Sequence, residues 1–137
     1  MKRRQKGWFF LPPKPPKPKV PENIKTEVES KANELIDSFL KPTYIKPPPE
    51  DYQFSYIVDF YAKWYRNYFH FNAKYCCSAP NCIAPFFESK FARMEYAGND
   101  LFSLSYMRHT GQWLELFTDL SIDECLETIK NDPHFMP

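Results

Sequence analysis

Four side chains able to bind a metal or do thiol chemistry fall within thirteen residues: His70, Cys76, Cys77 and Cys82. A zinc site needs four ligands converging at about 2.0–2.3 Å, and cysteines often arrive as pairs two to four residues apart. Cys77 and Cys82 lie at the wide limit of that spacing. Cys76 and Cys77 point to opposite faces if both sit in a strand. In an extended segment, His70 and Cys76 lie about 20 Å apart at roughly 3.3 Å per residue, too far to share an ion. Cys77 and Cys82 are left as metal candidates, set against the simpler reading of small buried apolar thiols. A Cys77–Cys82 disulfide fits the spacing in an oxidised sample. No metal or other cofactor is expected.

Acid–base and nucleophilic chemistry find less support. The three histidines are His70, His109 and His134. His109 falls at a turn beside Arg108 and Thr110, and His134 is close to the last residue. No glycine-rich phosphate loop, Gly-x-Ser-x-Gly elbow or His-Glu-x-x-His helix is present. Glu95 and Glu115 are expected in solvent-facing strand positions or in cross-strand ion pairs with Arg93, not as a carboxylate dyad. An enzyme is not expected.

The remaining chemistry is at the front of the chain, MKRRQKGWFFLPPKPPKPKVP. Residues 1–21 hold Lys2, Arg3, Arg4, Lys6, Lys14, Lys17 and Lys19, six prolines and no acid. The arm therefore carries +7. The other eleven Lys and Arg face all seventeen Asp and Glu, leaving residues 22–137 at −6. A basic arm on a mildly acidic body is a polyanion-seeking pattern. The cations suit phosphates, while Trp8, Phe9 and Phe10 can stack on bases or enter a groove. Prolines fix φ and push their predecessors to extended geometry, so 11–21 is predicted to be polyproline II, about 34 Å long at ~3.1 Å per residue. The same stretch repeats Pro-x-x-Pro, a protein-ligand pattern. Its aromatics could also pack on the body of this chain or of a second copy.

These groups must be positioned by the rest of the chain. Its 137 residues suit one domain with a self-sufficient core. The 18% aromatic content favours strands, and three Gly against fourteen Pro push turns toward Pro, Asn and Asp. Residues 22–40 carry Ile24, Val28, Leu35, Ile36 and Phe39 at helical spacing, with Lys41-Pro42 as the expected stop. Residues 52–66 fit both periods. Aromatic and β-branched enrichment favours a hairpin: strand 53–63, turn 65–67, strand 68–76. A loop is expected over 76–86. Strands follow at 90–97, 101–109 and 112–120, joined by Gly98-Asn99-Asp100 and Thr110-Gly111. Ser121 and Glu124 form a capping box for a last helix at 122–131, buried through Ile122, Cys125, Leu126 and Ile129. The expected fold class is α+β: an antiparallel sheet of about five strands flanked by an N-terminal and a C-terminal helix.

This order, with KFARMEYAGNDLFSLSYMRHTGQWLEL and SIDECLETIKNDPHFMP in its second half, resembles a family of small bacterial domain-of-unknown-function proteins (DUF3024-like). The resemblance covers 21–137 and is strongest over 90–137. It implies a small α+β fold and a bacterial, cytoplasmic origin, and carries over no active-site residue. The basic arm and the Cys-rich loop 76–82 depart from the family's pattern.

The expectation is thus an arm at 1–21 and one α+β domain at 22–137. The protein is read as a non-enzymatic accessory protein docking its arm on nucleic acid or a nucleoprotein complex. The alternatives are a protein-interaction or self-associating module that uses the arm without nucleic acid, and a small metal-binding protein built on the Cys loop. Four apolar residues, Trp8 to Leu11, are too few for a secretory leader, and no apolar run is long enough to span a membrane. A cytoplasmic protein with reduced cysteines and no membrane contact is expected.

Overall fold

The structure is a computed structural model, and it describes residues 18–47, 55–77 and 84–137. Helix α1 (Glu22–Leu35) runs into a π-helical turn (Ile36–Leu40) and a last short turn, α2 (Lys41–Tyr44). Five strands follow: β1 (Tyr56–Tyr65), β2 (Tyr68–Cys76), β3 (Phe86–Gly98), β4 (Leu101–Met107) and β5 (Trp113–Leu120). Helix α3 (Ile122–Asn131) and a 3₁₀ turn (Pro133–Phe135) complete the chain. The strands form one antiparallel meander in the order β1-β2-β3-β4-β5. The α+β class and the helices at both ends agree with the sequence reading.

Both helices cover one face of the sheet. Ile24, Val28, Ala32, Ile36 and Leu40 are all buried and recur every four residues. A straight helix of 3.6 residues per turn lets such a row drift around its surface. The wider π turn brings Leu40 back into line. That turn also corrects the expectation that Lys41-Pro42 stops the helix. Proline lacks an N–H and its ring clashes with the carbonyl four residues back. Here the bond before it is shifted, with the Lys41 N–H reaching Ile36 O. Pro42 then falls in the first turn of α2, where no donor is needed, and Ile45 N closes the helix on Lys41 O. Lys41 bridges Asp37 at 3.6 Å and Asp59 of β1 at 3.5 Å.

Phe69, Phe71, Met94, Phe102 and Leu104 line the sheet's covered face and are at most 1% exposed. Phe91 meets Phe60 and Phe71 edge-on or tilted, at 5.9 and 6.2 Å between ring centroids. Trp64 packs on Phe69 and donates its indole N–H to Lys25 O at 3.4 Å, joining β1 to α1. Helix α3 has the expected capping box: Ser121 Oγ accepts from Glu124 N, and Glu124 Oε1 accepts from Ser121 N. Val20, just inside the basic segment, is buried in the same core at 3% exposure.

The hairpin reading of 52–66 is borne out, with a two-residue loop at Arg66-Asn67. Arg66 takes a left-handed φ of 57° there. The β3–β4 loop has Asn99 and Asp100 at 55° and 60°, the primed-turn conformation that twists with the strands. Two boundaries move. β3 begins at Phe86 instead of 90, because Cys77 N donates to Pro85 O and the Tyr75 and Phe87 rings stack at 5.0 Å, extending the ladder into the expected loop. β4 ends at Met107, where Arg108 N donates to Gln112 O to close the next turn.

Candidate binding face of the sheet

No helix among the described residues lies on the sheet's second face. In register across all five strands it presents Lys63, His70, Arg93, Ser105 and Glu115. Beside that row stand Tyr61, Asn72 and Lys90 on one side, and Tyr65, Tyr68 and Glu95 on the other. Period-2 alternation explains the set, since Phe69, Phe71, Phe102 and Leu104 occupy the intervening positions on the core side.

Arg93 is its centre. The guanidinium carbon lies 4.6 Å from the Tyr68 ring centroid and 4.7 Å from that of Trp113. This arrangement corrects the expected cross-strand ion pair of Arg93 with Glu95 or Glu115. Arg93 is held between two π-faces instead, and its Nε is buried without a hydrogen-bond partner. Glu95 accepts from Asn67 Nδ2 at 3.5 Å. The His70 ring stacks on Tyr68 at 6.0 Å and tilts against Trp113 at 5.7 Å. In a flat sheet β2 and β5 would stand about 14 Å apart. Their side chains meet because every strand pair contains a register shift, and Asp119 (φ 59°) adds a left-handed residue within β5. Such bulges coil a sheet, and this one closes over its open side. Ser105, in register between Arg93 and Glu115, is only 3% exposed although no helix covers it.

His70 is 7% exposed and its pKa is pushed down to about 4. Burial is the largest cause, followed by the charges of Lys90, Arg93 and Lys63. His70 is therefore a neutral ring at pH 7, inside a positive local field.

The two layers treat their cations differently. Lys25, Lys31 and Lys41 of the helical layer are all ion-paired, Lys31 with both Glu27 and Asp123. Hydrogen bonds that Lys31 donates to Asp123 and Glu27 raise its pKa. Lys63, Lys90 and Arg93 on the open face make no ion pair among the described residues. Aromatic rings flank several cations there instead: Lys63 lies 5.8 Å from the Tyr61 ring, Lys74 4.8 Å from Phe86, and Arg66 5.2 Å from Tyr65. Near the β1–β2 turn, a 380 Å³ cleft is lined by Pro18, Lys19, Val20, Lys25, Arg66 and Asn67, where the basic segment joins the body.

Of the arm residues singled out by sequence, Lys2, Arg3, Arg4, Lys6, Trp8, Phe9, Phe10, Lys14 and Lys17 lie outside the described residues. Lys19 is exposed at the cleft. The cysteine expectations divide. Cys125 is a buried thiol whose pKa burial, with the Glu124 charge, pushes up to about 12. Cys76 is a half-buried free thiol. Cys77 is disulfide-bonded, against the expectation of reduced cysteines, and so has no thiolate to offer a metal. Cys82 lies outside the described residues, among which no group of three metal-ligating side chains converges. His109 is exposed at its turn. His134 pairs with Asp132 at 2.7 Å, a contact that sequence reasoning missed. The Asp-x-His spacing is its signal, because Asp132 caps the 3₁₀ turn holding His134. The cap and the pair together lower the Asp132 pKa.

These features define an α+β domain with a helix-covered acidic side and a second sheet face of aromatic rings, acids and unpaired cations. The chain belongs to the family described as Domain of unknown function (DUF3024), whose model matches residues 20–137. No curated protein and no solved structure matches it. No helix among the described residues is long and apolar enough to cross a membrane.

Proposed function

We propose that this protein is a non-enzymatic accessory protein that docks on nucleic acid or a nucleoprotein complex, with its basic arm as the first contact. One observation carries the reading: the division of charge between the layers. The helical elements hold Glu22, Glu27, Glu29, Glu34, Asp37, Asp123, Glu124 and Glu127 against Lys25, Lys31, Lys41 and Lys130. The open side instead keeps unpaired cations, and the arm joins the body at a cleft lined by Lys19, Lys25 and Arg66. A polyanion approaching this molecule is repelled by the helical layer and attracted by the arm, and on the open face it meets Lys63, Lys90 and Arg93 without ion-pair partners.

The test is fluorescence anisotropy of labelled RNA and DNA against salt. Four to seven phosphate contacts give a log–log slope of about −3 to −6. Replacing Lys2, Arg3, Arg4 and Lys6 together by Gln is expected to flatten that slope by about three to four. Absence of binding at low salt rejects the proposal.

A second reading, a self-associating module, draws on exposed Leu114 and Phe117 of edge strand β5, at 40% and 37%. A concentration-dependent dimer in sedimentation, abolished by Leu114→Lys, would favour it.

A further inference from the structure

We propose that the open face of the sheet is itself a stacking platform for single-stranded nucleic acid, with Trp113 and Tyr61 presenting rings and Lys63, Lys90 and Arg93 taking the phosphates. The inference rests on the nucleic-acid reading above, but assigns the ligand's form and the residues of the body that bind it.

Three observations carry it. First, the rings and cations interleave on one surface. Lys63, His70 and Arg93 are directly opposite one another on β1, β2 and β3, with Tyr61, Asn72 and Lys90 the neighbouring row. Single-strand binders combine such a cationic track with aromatic faces, because every base has a π-face to stack. Bases inside a duplex are already stacked and do not offer theirs. Second, Lys63, Lys90 and Arg93 make no ion pair among the described residues, although Glu88, Glu95 and Glu115 stand on the same face. The charges of the three cations converge around His70, between β1 and β3. Third, the centre is built and incomplete. Arg93 is fixed between Tyr68 and Trp113 over buried Ser105, and no acceptor among the described residues bonds its guanidinium. Its Nε is buried, so a phosphate oxygen would meet the terminal nitrogens, which no carboxylate holds. A protein partner fits less well, because Lys63 and Lys90 stand exposed among these rings and lysine is depleted at protein interfaces.

The experiment uses the full chain with its arm intact. Its probe is a 12-nucleotide single strand carrying 2-aminopurine, which loses fluorescence on stacking, compared with the same sequence as duplex. The wild type is expected to prefer the single strand and quench it. Trp113→Ala is expected to lose the quench and bind roughly 5- to 100-fold more weakly, while Trp113→Phe restores both. Because Trp113 also covers Arg93, the double variant Lys63→Glu/Lys90→Glu at two exposed positions gives a second reading that leaves the core untouched; it is expected to weaken binding at least tenfold. Single-strand binding unchanged in both the Ala and the double Glu variants overturns the platform and leaves arm docking standing. Duplex preference without quenching also overturns it. No binding to either probe by the wild type rejects both proposals.

Discussion

The buried neutral histidine at the centre of the open face links the site to folding stability. His70 has a folded pKa of about 4, set by burial and by the charges of Lys90, Arg93 and Lys63. In the unfolded chain it reverts to about 6.5. Above pH 6.5 both states are neutral and the shift contributes nothing. As pH falls from 6.5 toward 4, the unfolded state takes up a proton that the folded state refuses, so stability falls with pH. The full window is worth about 3 kcal/mol at ~1.4 kcal/mol per pKa unit, and about 2 kcal/mol is lost between pH 7.5 and 5.0. Urea unfolding of the wild type and of His70→Gln at those two pH values isolates this loss, since every other ionisable group is common to the two proteins. The wild type should lose about 2 kcal/mol more than the variant. The variant starts lower at pH 7.5 because it forfeits the ring contacts with Tyr68 and Trp113, but its own fall with pH should be shallower. Equal losses in the two proteins, or a His70 imidazole resonance titrating near pH 6.5, would refute both the burial and the positive field ascribed to this face.

Three other substitutions probe the scaffold. Ser121→Ala removes the acceptor for Glu124 N and should cost about 1 kcal/mol, read from the urea midpoint. Phe71→Ala deletes a 1% exposed ring packed against Phe69 and Phe91; about 3–5 kcal/mol is expected by the same assay, enough to threaten folding in a domain of this size. Gly98→Ala should cost about 1–2 kcal/mol through backbone strain alone. Its φ is 91°, while an added Cβ would meet only Pro18, at an ordinary 3.8 Å. A thermal midpoint unchanged from wild type would show that the β3–β4 loop can rearrange.

The elements were legible wherever local chemistry decided them. Aromatic and β-branched residues tipped 56–65 to strand, and the Ser121–Glu124 box placed α3 to the residue. Prediction failed where a distant partner decided. Pro42 stops a regular helix, and only the burial of Leu40 beside β1 explains why the chain widens into a π turn and continues. Phe86 and Phe87 join β3 because Cys76 and Tyr75 lie opposite, although the proline- and asparagine-containing sequence between them read as a break. The binding face shows the same limit. The arm announces itself in seven consecutive-looking cations, whereas the face draws single residues from five strands. Lys63, His70, Arg93 and Ser105 become neighbours only once four registers are known. Period-2 alternation would have placed Arg93, Glu95 and Glu115 on one side, and complementary charge then argues for pairing. Trp113 changes that outcome, because the bulges coil the sheet until a ring from β5 reaches a histidine on β2. A guanidinium between two rings keeps its charge with no carboxylate paired to it.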